Sequence, residues 1–393
     1  MRQVRLPVAP RRRRIPVVGI TGSSGKTTTK DMLAAMLAQR GPVLKTPGTL
    51  NAPGDVRRTA RRLRRHHWAA VYEMASFKPG FIAASCRAVH PMMAIVTNIG
   101  LAHAGLLGGM RGVARDKGAL VRSLPRSGVA FLNADVPGTR LISLKGFRGR
   151  IVRYGLRPQA DVWASDVRQD GLRLTFVAHR GSESAELQVR ALGEHNVANA
   201  LAAFAAAREL GLSTEAIRLG LANFTPPRGR LQVQTVQGFT LIHDAFNASP
   251  QSMEAGLKVL RQIGEGRRVA VIGRMRTLGR WFREAHLKLG GQLASGGIDE
   301  VVLVGPACGA VTTGIQQGLR GKPPDTHPRV TKVRTAEAAA SYLGRTLTEP
   351  AVVFFKGSHD IHLARAFRLL MAELSTRGPN GGGPCGGGEP SSR

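Results

Sequence analysis

Short apolar runs recur along this 393-residue chain, separated by stretches whose apolar positions fall at helical spacing. Val17–Ile20 reads as a short buried strand. From Thr27 to Arg40 the pairs Met32/Met36 and Leu33/Leu37 stack at i,i+4, which predicts a helix stopped by Gly41. Lys45–Asp55 (KTPGTLNAPGD) is rich in turn formers and reads as a loop. In the segment Arg57–His67, Arg57, Arg61 and Arg65 share one stripe of a predicted basic helix. Trp68–Glu73, Ala94–Ile99 and Val129–Asn133 read as further strands, with helices over residues 79–90 and Arg111–Leu124. Apolar strands alternating with helices predict a mainly parallel α/β sheet. Between about Arg150 and Arg190 the pattern changes. Leu172, Leu174 and Phe176 alternate with Arg173 and Thr175 straight after Asp170–Gly171, which predicts a β-hairpin excursion. Helical spacing returns over Leu192–Gly211, and Thr225-Pro226-Pro227 predicts a hinge. Beyond it, strands at Gly238–His243, Arg268–Ile272, Glu300–Val304 and Ala351–Phe355, with helices Ser252–Ile263 and Ile361–Leu374, predict a second α/β segment. No internal repeat is visible.

The first strand-to-helix transition carries candidate chemistry. Gly22, Ser23, Ser24 and Gly25 stand between the strand and Lys26-Thr27. Glycines let the backbone curl until successive N–H groups face one anion, and the helix N-terminus adds partial positive charge. A lysine so placed reaches the β/γ-phosphates, and a following threonine hydroxyl can ligate Mg²⁺. The pattern G-x-x-x-x-G-K-[ST] fails only at Ile20, where its first glycine belongs, and the shorter G-x-x-G-K-T is complete. Polar residues at the carboxyl ends of parallel strands face the ligand crevice, which brings in Glu73, Asn98 and His103.

Composition changes this picture little. Fifty-seven Lys and Arg against 25 Asp and Glu give a net charge of +32, suited to an anionic partner. Aromatics are only 5%, and none interleave with the basic clusters Arg11–Arg14 and Arg57–His67, so nucleic acid is not the expected partner. No apolar run reaches the roughly 18 residues of a membrane span, and the basic N-terminus lacks the apolar core of a secretory signal. A cytoplasmic protein is expected. Cys86, Cys308 and Cys385 are far apart and suggest neither disulfides nor a zinc site.

Seven segments occur in order: TGSSGKTTTKDML, VTNIGLAHAG, ARDKGAL, LGEHNVANALAA, PPRGR, HDAFNASPQSM and FFKGSHD. From about Val17 to Leu374 they resemble the Mur ligase family, in particular its D-alanyl-D-alanine-adding members. The resemblance implies a P-loop ATP-binding central domain with a mainly parallel sheet, residues 15–224. It implies a smaller Rossmann-like α/β C-terminal domain, residues 228–375. A basic arm (1–14) and a Gly/Pro-rich tail (376–393) outside them are expected to be disordered. The implied reaction is ADP-forming: a carboxylate is phosphorylated by ATP to an acyl phosphate, and an amine displaces the phosphate. Gly22 to Thr28 would hold the nucleotide, and Glu73 would share Mg²⁺ with Thr27. His103 would hold a second metal. Lys117 matches a lysine that the family carries as a metal-binding carbamate, which requires a neutral amine. Asn196 and Asn199 fall on the adenine side, Arg230 meets the γ-phosphate, and Asp244 meets the ribose or the linker. Asn247 and Lys356 fall on the substrate side.

Two departures stand out. About fifteen residues precede the first strand, too few for the family's UDP-gripping domain. Where the D-alanyl-D-alanine-adding members carry acids in GDMxELG, this chain reads GRMRTLG, with Arg274 and Arg276 at those positions. The expectation is an ATP- and Mg²⁺-dependent, cell-wall-related amide ligase acting on an amino acid, peptide or polymer. Its acceptor would be small, polymeric or presented by a separate protein. A basic P-loop NTPase that binds nucleic acid, or a non-catalytic nucleotide-binding regulator, would be the alternatives.

Overall fold

The structure, a computed structural model, describes residues 15–306, 308–347 and 350–376. The expected arm, all but the first residue of the expected tail, and Cys385 lie outside the described residues. The first α/β unit runs β1 (Val17–Thr21), α1 (Lys26–Leu37), β2 (Val43–Lys45), α2 (Pro53–Ala60), β3 (Ala69–Glu73), α3 (Phe81–Val89) and β4 (Met93–Val96). It continues through α4 (Ala104–Leu107), α5 (Gly109–Arg122), β5 (Val129–Asn133), β6 (Arg150–Gly155), β7 (Val162–Asp170), β8 (Arg173–Arg180), β9 (Glu183–Arg190), α6 (His195–Glu209) and α7 (Thr214–Ala222). Its nine strands lie in the order β2-β3-β1-β4-β5-β6-β7-β8-β9. They are parallel as far as β7 and antiparallel from β7 to β9. Every residue of β1, β3, β4 and β5 is buried, because helices cover both faces of a parallel sheet. Met32, Leu33, Phe131 and Phe204 pack one face, and Tyr72, Ile82, Val96 and Leu120 the other. β1 sits between β3 and β4, so the turn after it opens where the strand order switches direction.

The second unit runs β10 (Gln232–Val236), β11 (Phe239–His243), α8 (Pro250–Gln262), β12 (Arg267–Gly273), α9 (Phe282–Leu293), β13 (Glu300–Val304) and α10 (Cys308–Gly318). β14 (Arg329–Val333), α11 (Ala336–Thr346), β15 (Ala351–Lys356) and α12 (Leu363–Thr376) complete it. Its six strands lie in the order β10-β11-β15-β12-β13-β14, with only β10 antiparallel. The mixed α/β architecture with a smaller second unit is the one expected.

Three local expectations need correction. The basic stripe does not form. α2 ends at Ala60, Arg61 is its C-cap and Arg65 lies in the following turn. The Arg64 guanidinium folds back on the carbonyls of Arg61 and Leu63, at 2.7 and 3.0 Å, and so takes up carbonyls that further helix would have bonded. The hairpin is not an excursion: β7 joins β6 in parallel register, so β7–β9 extend the main sheet as an antiparallel meander. Leu172 falls in the turn, while Leu174 and Phe176 are buried. Finally, β4 stops at Val96 rather than Ile99, because Thr97 and Asn98 leave the sheet to hold the turn after β1.

Candidate active site

The turn Gly22–Gly25 is tethered from β4. Asn98 Oδ1 accepts from the amides of Ser23 and Ser24 at 2.8 and 2.9 Å, its Nδ2 donates to Ser24 Oγ at 2.6 Å, and Thr97 donates to the Ser24 carbonyl at 2.5 Å. Gly25 has φ 79, and a Cβ there would lie 2.4 Å from Asn199 Oδ1, so both conformation and space demand glycine. α1 starts with no side-chain cap and no acid in its first turn. A helix start of that kind is an anion site.

Lys26 Nζ donates to the Gly22 carbonyl at 2.9 Å. Burial lowers its pKa to about 8; Glu73 opposes that shift and Arg230 adds to it. The buried Thr27 hydroxyl donates to Glu73 Oε1 at 3.1 Å and accepts from Arg230 Nη2 at 3.1 Å. Glu73 is fully buried at the end of β3. Asn51 also donates to its Oε1, at 2.8 Å. Its Oε2 has no hydrogen-bond partner, and the Lys30 ammonium stands 3.5 Å away as a charge partner only. Among the described residues no three His, Cys, Asp or Glu side chains cluster as a metal cage. A carboxylate with one orphaned oxygen beside a threonine hydroxyl fits Mg²⁺, which keeps water or phosphate oxygens in its remaining positions.

His103 and Lys117 stand close enough to Lys26 that its charge acts on both. Burial first, then Lys26 and Lys117, lowers His103 to about 3. Burial first, then Lys26, holds Lys117 well below the ordinary lysine range, with neighbouring Asp116 pulling the other way. Asp116 accepts from Ser76 and from the Gly80 amide, which ties the middle of α5 to the segment before α3.

Between the two units lies a cavity of about 320 Å³. Ser23, Ser24, Gly25, Lys26 and Thr28 line it from the turn, Asn196 and Asn199 from α6, and Arg230, Asp244, Asn247 and Lys356 from the second unit. Gly22, Thr27, Glu73, His103 and Lys117 are not among its lining residues. Asn196 donates to the Leu192 carbonyl and accepts from Asn199, each at 2.8 Å, and Asn199 Oδ1 accepts from Thr29 at 3.3 Å. The pair therefore braces the turn as well as lining the cavity. Asp244 and Lys356 are ion-paired with each other, and Lys356 is almost fully buried. Asp244 also accepts from the Leu231 amide at 3.3 Å, next to Arg230.

Several site residues carry no sequence signal of their own. Asn51 lies in a turn-rich loop. Lys30 is one helical turn beyond Lys26 and reads as an ordinary helix cation. Phe246 packs under the Arg230 guanidinium at 4.7 Å. Thr277 accompanies Arg274 and Arg276. Position by position, GRMRTLG sets Arg274 and Thr277 against the two acids of GDMxELG, so Arg276 falls between them and not on the second. Arg274 pairs with Asp360, and Arg276 Nε lies 3.9 Å from the same carboxylate.

Residues 20–207 match the model of the Mur ligase middle domain, and residues 229–359 that of the Mur ligase glutamate ligase domain. The UDP-N-acetylmuramoyl-tripeptide–D-alanyl-D-alanine ligase of Mycobacterium bovis is 35% identical over 375 residues, covering 91% of this chain and 73% of the relative. The chain belongs to the Mur ligase family. The Escherichia coli enzyme of the same name is 35% identical over 308 residues, covering 77% of this chain and 68% of its own length. MurF from Acinetobacter baumannii superposes with a TM-score of 0.83 at 32% identity, over 91% of this chain and 76% of that one. MurF from Thermotoga maritima, solved in complex with ADP, gives 0.76 at 25% identity, over 92% and 81%. This Mur ligase is an ATP-dependent, ADP-forming ligase that joins a carboxylate to an amine, and the nucleic-acid alternative falls away. Among the described residues no helix is long and apolar enough to cross a membrane.

Proposed function

We propose that this Mur ligase joins the terminal carboxylate of a muramoyl peptide to the amine of a dipeptide of the D-alanyl-D-alanine type, with Mg²⁺ as its metal. The observation that carries the reading is the convergence of Lys26, Thr27 and Glu73 with Arg230, which comes from the other α/β unit. Phosphoryl transfer needs the triphosphate held in line and its charge neutralised. The uncapped start of α1 and Lys26 would hold the phosphates, and Arg230 would meet the γ-phosphate with a planar guanidinium. Thr27 and Glu73 would hold Mg²⁺, which when bound offsets phosphate charge. Asn196 and Asn199 would shape the adenine end, and Asp244, paired with Lys356, the ribose or linker. Asn247 and Lys356 would face the substrate side. Burial, which lowers the Lys117 pKa well below the ordinary lysine range, supports a carbamate there, an anion placed near His103. The substrate carboxylate attacks the γ-phosphorus and ADP leaves; the amine attacks the acyl carbon and phosphate leaves.

The relatives' names favour the muramoyl peptide over the small, polymeric or separately presented acceptor expected from the sequence. The test supplies UDP-N-acetylmuramoyl-tripeptide and D-alanyl-D-alanine, together and singly, and reads ADP and product mass. Saturable ADP formation that needs both supports the reading. Turnover only with another carboxylate, or only when a second protein is added, replaces the acceptor.

A further inference from the structure

The two units touch where α4 meets the loop after β12. A Cβ on Gly105 would lie 2.4 Å from the Gly279 nitrogen, so backbone meets backbone there. The Gly105 amide donates to the Thr277 carbonyl at 3.0 Å. Two residues before Gly105, His103 Nδ1 lies 3.1 Å from Thr277 Oγ1. Both residues are held in the left-handed region, His103 at φ 63 and Thr277 at φ 59. That conformation is costly for a histidine and worse for a β-branched threonine, and it persists where surrounding structure enforces it. The ring of Phe77 meets the His103 imidazole edge-on at 4.8 Å and limits its rotation.

The proton on this contact can be assigned by elimination. Thr277 Oγ1 also lies 2.7 Å from the Arg276 carbonyl oxygen. A carbonyl only accepts, so the single hydroxyl proton must lie on that contact; otherwise two lone-pair oxygens would face each other at that distance. Toward His103 the hydroxyl therefore accepts, and Nδ1 must donate. We infer that docking of the second unit fixes His103 as its Nδ1–H tautomer, with Thr277 as the positioning residue, leaving the lone pair on Nε2. The bond made at one ring nitrogen sets what the other can do. Closure thus does more than cover the site: it prepares the histidine as a donor to a metal or to substrate. That use rests on the role of His103 proposed above, whereas the tautomer rests on the contact alone.

The test is a long-range ¹H–¹⁵N correlation spectrum of the full chain labelled with ¹⁵N-histidine, with saturating ADP and Mg²⁺ at about pH 7.5. His103→Asn serves only to assign the signal. Wild type and Thr277→Ser should show protonated Nδ1 and unprotonated Nε2, and Thr277→Val should move the proton to Nε2. Turnover should follow: lower kcat in Thr277→Val with KM for ATP little changed, and recovery in Thr277→Ser. Gly105→Ala, which holds the loops apart and leaves the side chains of His103 and Thr277 chemically unchanged, should move the proton as Thr277→Val does. An Nε2–H pattern in the wild type, or an Nδ1–H pattern surviving both Thr277→Val and Gly105→Ala, overturns the inference. Adding Mn²⁺ separates the two claims: failure to broaden the His103 ring signals removes its metal role and leaves the tautomer standing.

Discussion

Lys26 is poised by its surroundings. Burial brings it to about 8, and a bound triphosphate raises that value again. Below about pH 8 the lysine is already charged, so nucleotide affinity should be level. Above it, binding must take up a proton, and affinity should fall by up to about tenfold per pH unit. Calorimetry at about pH 8.5 in two buffers of different ionisation enthalpy reads that proton; the same uptake in wild type and Lys26→Ala would separate Lys26 from the nucleotide. Turnover in Lys26→Ala should drop by about 10²-fold or more with the fold intact. Lys117 is shifted by burial in the same direction, and its free amine can add to CO₂, forming a carbamate and releasing a proton. Lys117→Ala should cripple the chemical step, short carboxylate anions should restore part of it, and ¹³CO₂ should label the wild type. Full activity in Lys117→Ala, at ambient and at depleted CO₂, would exclude a catalytic carbamate. The types of these residues were legible in their segments. Their partners were not: nothing in NAPGD says that Asn51 meets Glu73, and nothing in HDAFN says that Phe246 lies under Arg230.

At the scale of elements, the apolar runs located most strands, and Val129–Asn133 and Glu300–Val304 match their expected limits. Helices α9 and α10 escaped because of how they pack. A Cβ on Gly290 would lie 2.2 Å from the Val311 carbonyl, and one on Gly314 2.1 Å from that of Leu287. Glycines that let two helices approach this closely also remove the apolar stripe by which a helix is read. α6 shows the reverse case, a visible helix whose asparagines brace another element. Gly25→Ala should weaken nucleotide binding and stability together, because the methyl meets Asn199 and the backbone is left-handed. Asn199→Ala in the same chain should recover only part of the loss: it opens space and leaves the φ strain. Thermal melts and ADP titrations of the two single variants and the double variant would show this as non-additivity. Simple addition would mean that the two residues do not press on each other.

At the scale of the molecule, the site is built from two units joined through the loop that holds Thr225–Pro227. Lys26, Glu73, His103 and Lys117 precede that loop, while Arg230, Asp244, Thr277 and Lys356 follow it. Closure completes such a site and excludes water from the acyl phosphate. We therefore expect the two bodies, residues 15–224 and 228–375, to move relative to each other, with Gly105 marking where they meet. Its backbone has no left-handed strain, so alanine costs nothing in conformation; the obstacle is the Gly279 backbone, which cannot rotate aside as a side chain would. Gly105→Ala should leave each unit folded and the nucleotide turn intact, and should hold the second unit back. Small-angle scattering with an ATP analogue and Mg²⁺ should show a more compact wild type and an unchanged, more open variant. Amide-bond formation should fall far more than nucleotide affinity, because Arg230 reaches Thr27 only from the docked unit. A variant that compacts like the wild type and turns over at a similar rate would show that the approach of Gly105 to Gly279 is incidental to catalysis.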